Sequence, residues 1–367
     1  MSNEKQKYQI ALKLLPGVGD ITAKKLIAYC GSAEAVFSEK EKTLLKIPNV
    51  GEVLAKEILN HSVFERAERE IKFIEKNKIQ TYFFTDKEYP NRLKYCEDSP
   101  IMLYCKGKFD FENPKIISIV GSRNATDYGK KICEKLIEEL ANHNVLIVSG
   151  LAYGIDICAH KTAVANNLQT IAVLAHGLDK LYPSNHKSTA DLMQNNGGLV
   201  TEYLSETNPD KENFPNRNRI VAGLCDAAIV IEATAKSGAL ITAEYANNYN
   251  REVFAVPGRI GDIYSEGCNH FIKINKAVLI ESAKDVAYLL GWENTKQIKK
   301  MQQQLFVDLK PDEEIIVNLL KEKTSLDIDN IGMYSKFPTN KVSSILLNLE
   351  FSGIVKALPG KVYRLNN

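Results

Sequence analysis

Three short stretches set anion donors directly behind apolar runs. In IISIVGSRNATDYGKK, residues 116–131, a β-branched run ends at Gly121 and a polar turn leads into a helical pattern. That arrangement gathers backbone N–H groups and the positive end of a helix at one point, which is how α/β proteins hold phosphate. Gly121 stands where a side chain would crowd a ligand or the adjoining helix. Ser122 adds a hydroxyl, and Arg123 a planar fork of donors suited to phosphate oxygens. Thr126 and Asp127 are the residue types that cap a helix beginning near Tyr128. Neither GxGxxG nor GxxxxGK[ST] is present, so dinucleotide and Walker-type loops are not indicated and no cofactor is expected.

The second stretch, DKENFPNRNRIVAGL (210–224), groups Lys211, Arg217, Asn218 and Arg219 around Phe214. Cations interleaved with an aromatic ring suit a single strand, because the charges track phosphates while the ring stacks on a base. The third, EATAKSGALITAEYA (232–246), puts Ser237 and Gly238 at another helix start, whose dipole would reinforce the same positive rim. The plainer alternative is a set of tight turns with a surface arginine and a core phenylalanine. In SGLAYGIDICAH (149–160), Asp156 and His160 fall one helical turn apart and could pair as base and orienter. No Ser or Cys nucleophile at a strained elbow accompanies them, and no further ligand at metal spacing. Capping and helix-to-loop hydrogen bonding is the preferred reading there, catalysis the minority one, and no metal is expected.

These stretches need a parallel sheet to position them. Seven runs, KIISIV, VLIVSG, TIAVLA, LVTEY, AAIVIEA, EVFAVPG and AVLIE, alternate with helical stretches between residue 114 and about 292. Near-continuous apolar strands alternating with helices indicate a doubly wound, Rossmann-like sheet with ligands at the carboxyl ends of its strands. Residues 81–113 lead in and are expected to add edge structure. Before them, LLPGVGDITAKKLI (14–27) and LKIPNVGEVLAKEIL (45–59) repeat a helix–turn–helix pattern resembling a helix-hairpin-helix, with Asn49 replacing a glycine in the second copy. At the other end, helical segments precede two strand-like runs joined at Pro359-Gly360, which suggests a winged helix. Its presumed recognition helix, PTNKVSSILLNLE, has one basic residue, Lys341, so protein docking or an inert role is preferred over duplex reading. The expected organisation is a helical domain (1–80), an extended Rossmann-like domain (81–292), a linker (293–310) and a winged-helix domain (311–367).

Bulk properties narrow the class without choosing a function. The 367 residues contain 47 Lys and Arg against 45 Asp and Glu, a net charge of +2, so any anion site is local. The seven cysteines are scattered, odd in number and never spaced CxxC, as for reduced thiols rather than a disulfide framework. No run reaches the roughly 18–20 apolar residues of a membrane span, and no signal-like segment opens the chain. A cytoplasmic protein without membrane partners is expected.

The series YPNRLKYCEDSPIMLYCKG, ISIVGSRNATDYG, IVSGLAYGIDICAH, TIAVLAHGLDKLYP, FPNRNRIVAGL, EATAKSGALITAEYA and VFAVPG resembles the DNA processing protein A family from about Tyr89 to Ile280. The resemblance implies a non-enzymatic, sequence-independent single-stranded DNA binder that hands the strand to the RecA recombinase in natural transformation, and a homodimer formed through the extended Rossmann domain. It implies that Gly121, Ser122 and Arg123 grip a phosphate, that Lys211 supplies a second cation and that Phe214 contacts a base. Arg217 and Arg219 lie in the matching FPxRNR segment, where one of them can be structural. His176 stands where a small residue or cysteine is expected, and Lys276 lies in INKA where the family has a glycine-alanine pair. Both departures bear on dimer or recombinase contacts rather than on membership. The fold also resembles the lysine-decarboxylase-like LOG proteins, which cleave a glycosidic bond of nucleotides. Here SGALITAE has Ser237 and Leu240 where their motif needs glycine, although Glu244 aligns with the catalytic carboxylate. Nucleotide processing by Asp156, His160 or Glu244 is thus the alternative, and duplex binding by the winged helix the third reading.

Overall fold

All seven β-branched runs become strands, and every pairing among them is parallel. In the computed structural model, which describes residues 3–292 and 309–366, two earlier strands precede them: β1 (Gln80–Phe83) and β2 (Met102–Lys108). The parallel set is β3 (Ile116–Val120), β4 (Leu146–Ser149), β5 (Thr170–Val173), β6 (Gly197–Thr201), β7 (Ala227–Val230), β8 (Glu252–Ala255) and β9 (Val278–Leu279). Their order across the nine-stranded sheet is β1-β2-β6-β5-β4-β3-β7-β8-β9. β1 and β2 join antiparallel at one edge, which is the edge structure expected of residues 81–113.

Each face of the sheet is covered, as buried apolar strands require. Successive side chains of β3 point to opposite faces: Ile117 and Ile119 enter one core with Cys133, Leu136 and Ile137 of the helix Asp127–Leu140. Ile116 and Val120 enter the other, with Ile220, Val221 and Leu224 of the helix Asn213–Leu224. A strand buried on both faces cannot slip register without exposing one apolar set, which fixes where the loop after Val120 emerges.

The N-terminal helices do not form a separate core. Ile10, Leu12, Leu26, Ile58 and Ile74 pack in one cluster with Phe83, Ile101, Met102 and Tyr104, so the boundary at residue 80 is crossed by continuous apolar packing. Asn49 adopts φ 69°, the left-handed conformation that Gly17 takes at 76° in the first copy. Asparagine tolerates that region better than other side chains, so the second turn survives the substitution. The helix after the first turn is tied to the body, with Lys24 donating to Glu97 O (2.8 Å) and Ser99 Oγ (2.7 Å), while the turn residues Gly17 and Gly19 are exposed.

At the C-terminus the helices Pro311–Lys323, Ile328–Ser335 and Thr339–Phe351 pack on β10 (Ser325–Asp327), β11 (Val355–Leu358) and β12 (Val362–Leu365), in the order β10-β12-β11. This is the winged helix expected from the sequence, with β10 added. The wing tip lies against the Rossmann domain, where Gly360 N–H donates to Asn250 O at 3.1 Å. Apart from its last two residues, the expected linker 293–310 lies outside the described residues.

Helical domain and sheet are joined by a mostly buried four-charge cluster. Arg219 Nη2 donates to Glu202 Oε2 (2.7 Å) and Asp20 Oδ2 (2.9 Å), and Lys13 Nζ reaches Glu202 (3.1 Å) and Asp20 (3.2 Å). Burial pushes the Asp20 carboxyl up, but Lys13 and Arg219 outweigh it and hold it below the usual aspartate range. A carboxyl depressed in the folded state stabilises the fold above its unfolded value of about 3.9 and loses that contribution as pH falls below it. Wild type is therefore expected to lose stability more steeply than Asp20→Asn between about pH 5 and pH 2, as read by urea unfolding at each pH. Arg219→Ala, which leaves Lys13 alone to balance two carboxylates, is expected to cost about 3 kcal/mol at neutral pH.

Candidate functional site

Strand order reverses between β3 and β7, neighbours at the centre of the sheet whose crossovers leave in opposite directions. A crevice opens beyond the carboxyl ends of strands at such a point. Here it has a volume of about 430 Å³ and is lined by Gly121, Ser122, Arg123, Asn124, Gly150, Asp156, Arg217, Asn218, Ser237, Gly238 and Tyr264, among others. Seven of the ten residues singled out as contacts thus line it, brought together by elements far apart in sequence, and Phe214 lies beside it against Arg123. Lys211 is exposed in the segment before the helix Asn213–Leu224. Arg219 is directed elsewhere.

The helix Asp127–Leu140 begins just beyond the cleft, where its cap Thr126 lines a neighbouring pocket with Glu232, while the helices Ile155–Ala165 and Gly238–Asn248 present their first turns to the cleft. Thr126 caps the first, its hydroxyl accepting from Gly129 N–H at 3.1 Å, and Ser237 caps the last, accepting from Ala239 N–H at 3.3 Å. Converging helix N-termini give the cleft a positive potential before any side chain is counted. The loop after β3 is fixed on several sides. Ser122 N–H donates to Glu232 O (2.7 Å), Ser122 O accepts from Ile155 N–H (3.2 Å), and Ser122 Oγ accepts from Asn124 N–H (3.1 Å). A Cβ on Gly121 would stand 2.5 Å from Ile155 Cγ1, so the adjoining helix, rather than a ligand, requires glycine there.

The cations differ sharply in what they are free to do. Arg217 is buried and donates to Gly150 O (2.7 Å) and to Val173 O. Burial pushes its pKa down to about 10 against the attraction of Asp156, leaving it charged at neutral pH and committed to the floor of the cleft. Arg219 corrects the expectation of a strand contact: it serves the Asp20–Glu202 cluster described above. Two residues apart on a helix, Arg217 and Arg219 point to nearly opposite sides, so both cannot face one cleft. Arg123 is exposed, has no carboxylate partner among the described residues, and lies 5.3 Å from the centroid of Phe214. Phe214 is only half-buried, at the mouth of the cleft, not a core residue. Asn218 links the two banks through Nδ2–H to Gly238 O at 3.3 Å.

Asp156 and His160 are not a pair. Asp156 Oδ2 accepts from Gly150 N–H (3.1 Å) and Ala152 N–H (3.3 Å), and burial raises its pKa despite Arg217. His160 Nδ1 bonds Thr170 Oγ1 at 2.7 Å, and Thr170 in turn donates to Ile147 O, so His160 carries its proton on Nδ1. Burial pushes its pKa down to about 3, and it remains a neutral core residue. Glu244 lies outside the cleft lining, half-exposed and ion-paired with Lys276 at 2.6 Å. Lys341 of the winged helix is held within its own domain by Asp312 (2.7 Å) and lies over the Phe337 ring (4.1 Å).

Glu232 was not legible as part of the site. It is 2% exposed, and its carboxylate accepts from Thr126 N–H (2.9 Å) and Thr126 Oγ1–H (2.5 Å), clamping the loop after β3 to the end of β7. A glutamate closing an apolar strand run was the available signal.

A family profile for DNA recombination-mediator protein A matches residues 80–291, a DprA winged helix domain profile matches 304–361, and a SAM-like helix-hairpin-helix tandem matches 10–61. Protein Smf from Synechocystis sp. is 30% identical, across 99% of this chain and 100% of its own length. DNA processing protein DprA from Streptococcus pneumoniae is 43% identical over 57% of this chain and 73% of its own. The X-ray structure of the S. pneumoniae protein superposes with a TM-score of 0.67 at 34% identity, covering 78% of this chain and 97% of that one. DNA processing protein A from Helicobacter pylori, whose structure concerns its single-stranded DNA binding mode, gives 0.53 at 31%, covering 59% and 96%.

Glu232→Ala is expected to destabilise the protein by about 3 kcal/mol or more in urea unfolding, since two hydrogen bonds to a charged group are lost and a buried N–H is stranded. Glu232→Gln can accept from Thr126 N–H and donate to Thr126 Oγ1, so its cost is expected to be about 1 kcal/mol.

Proposed function

Because this chain belongs to the DNA recombination-mediator protein A family, we propose that it binds single-stranded DNA at the cleft between β3 and β7, without sequence preference and without altering the strand. The observation that carries this reading is Arg123 lying over Phe214: a cation free of carboxylates, beside a half-exposed ring, at a cleft flanked by two helix N-termini. Arg123 and the helix ends suit a backbone phosphate, and Phe214 suits the attached base. Lys211, which has no ion-pair partner among the described residues, provides a further charge along the strand's path. Gly121, Ser122, Asn218, Ser237 and Gly238 shape the phosphate site, with Arg217 as its structural floor.

The binder acts in DNA processing during transformation, in the cytoplasm, as a homodimer that transfers the strand to the RecA recombinase. What supports the DNA-processing part of this is the match to DNA processing protein DprA over 57% of the chain and the single-stranded DNA binding mode of the H. pylori relative. Catalysis has no part in the proposal, since Asp156, His160 and Glu244 each have structural partners of their own.

Fluorescence anisotropy with labelled oligo-dT and a matched blunt duplex across a salt series tests the reading. Wild type is expected to prefer the single strand, with log K falling about 0.7 per phosphate contact for each log unit of salt. Arg123→Ala is expected to weaken binding roughly tenfold or more and to reduce that slope by about 0.7. Lys211→Ala should act in the same direction, whereas Lys341→Ala should leave binding unchanged. Equal affinity for duplex, or an unaltered Arg123→Ala, would sink the proposal. Stimulation of RecA filament assembly and light scattering of the purified protein check the transfer and the dimer.

A further inference from the structure

Phe214 does not stand alone at the mouth of the cleft. The ring of Tyr182, from the segment between β5 and β6, lies with its centroid 5.8 Å from that of Phe214 and its plane inclined at 61°. Arg123 approaches Phe214 at 5.3 Å. Three side chains from three separate segments therefore form one cation–ring–ring cluster. Tyr182 is 47% exposed, and its hydroxyl has no hydrogen-bond partner among the described residues, so neither burial nor a polar contact accounts for the ring's placement.

The backbone beneath the ring is held in place. His176, 1% exposed, bonds Gly177 O through Nδ1 at 2.9 Å. A carbonyl only accepts, so the ring's proton sits on Nδ1 and Nε2 is left to accept the Tyr182 N–H, at 3.1 Å. His176 O accepts from Thr201 Oγ1 at 2.9 Å, which anchors the segment to the end of β6. Lys180 Nζ donates to Glu206 O at 3.3 Å and to Asn208 Oδ1. Burial keeps the His176 pKa below the ordinary histidine range, so it stays a neutral acceptor at physiological pH. A segment pinned at both ends, with an aromatic ring turned outward, is preorganised, and ordering it need not be paid for when a ligand arrives.

We infer that Tyr182 is a second base-contacting ring beside Phe214, and that His176 is its positioning residue. Inclined rings offer their faces to different bases, which extends the strand's path from the Arg123 phosphate site past Phe214 towards the segment after β5. Stacking on a tyrosine is tolerant of base identity, so the second ring adds affinity without adding sequence preference. This inference rests on the proposed reading of the cleft.

The test compares a labelled oligo-dT with an abasic strand of the same length and charge, using the full chain. Tyr182→Ala is expected to weaken oligo-dT binding about five- to a hundred-fold while leaving abasic-strand binding unchanged. Tyr182→Leu, which keeps apolar bulk against Phe214 but no ring, is expected to match it, and Tyr182→Phe to match wild type. Arg123→Ala should weaken both strands. His176→Ala should weaken oligo-dT binding alone and add nothing to Tyr182→Ala in the double variant. Tyr182 variants that bind oligo-dT like wild type, or that lose both strands equally, overturn the stacking role. Additive effects of His176→Ala overturn its positioning role. A wild type that binds neither strand, or an indifferent Arg123→Ala, brings down the reading of the cleft itself and this inference with it. Loss in Arg123→Ala with full retention in the Tyr182 variants brings down the inference alone.

Discussion

Glu232 fixes the separation of the two banks of the cleft. Its carbonyl takes the Ser122 N–H and its carboxylate takes both donors of Thr126, so the end of β7 and the loop after β3 form one unit. Strand-order reversal opens a gap between the crossovers there, and a gap lined by backbone N–H groups is useful only if it keeps its shape. The side chain also fills the space that a Cβ on Gly129 would need, so the first turn of the helix Asp127–Leu140 is seated against it. Arg123 lies between residues held by this clamp, and its position over Phe214 depends on it.

Charge is allotted by geometry rather than abundance. Of the cations in or near the segments that shape the cleft, Arg217 is committed to two carbonyls and Arg219 to two carboxylates. Arg123, Lys211 and Lys236, all exposed and without an ion-pair partner among the described residues, remain. A chain with a net charge of +2 offers no global attraction for a polyanion, so these unneutralised cations beside two helix N-termini decide where one can be held. Asp156 offsets Arg217 and prevents that buried arginine from being an isolated charge.

The outer domains take part in the architecture in unequal ways. The first helical hairpin is joined to the body through Asp20, Lys13 and Lys24 on its flanking helices, leaving the turn itself exposed. Its apolar core continues onto β1 and β2, so the helical region buttresses the edge of the sheet nearest Glu202. The winged helix touches the body through its wing tip and through Tyr95, whose hydroxyl meets Ser325 Oγ at 3.1 Å. Its single basic recognition-helix residue faces an aspartate.

Apolar periodicity was enough to give the seven parallel strands, because burial on two faces leaves a pattern in every residue of a strand, whereas the edge was expected only as unspecified structure over 81–113. Local chemistry likewise offered Thr126 and Asp127 as caps, of which Thr126 is the one, and placed Ser237 at a helix start and Gly121 at the end of β3, since caps and tight turns are short-range constraints. Which arginine faces the cleft was beyond it. Arg217 and Arg219 belong to one motif, and only the helix phase relative to β6 and the helical domain sends one to the floor and the other to a buried ion cluster. Glu232, Tyr182 and His176 were hidden for the same reason: their roles lie in partners outside their own elements, as with Glu232 and Thr126, 106 positions apart. Sequence alone determined the family of elements and the chemistry on offer. Tertiary packing decided which of those groups were consumed by the fold and which were left free, because a buried polar group must find a partner wherever the chain happens to supply one.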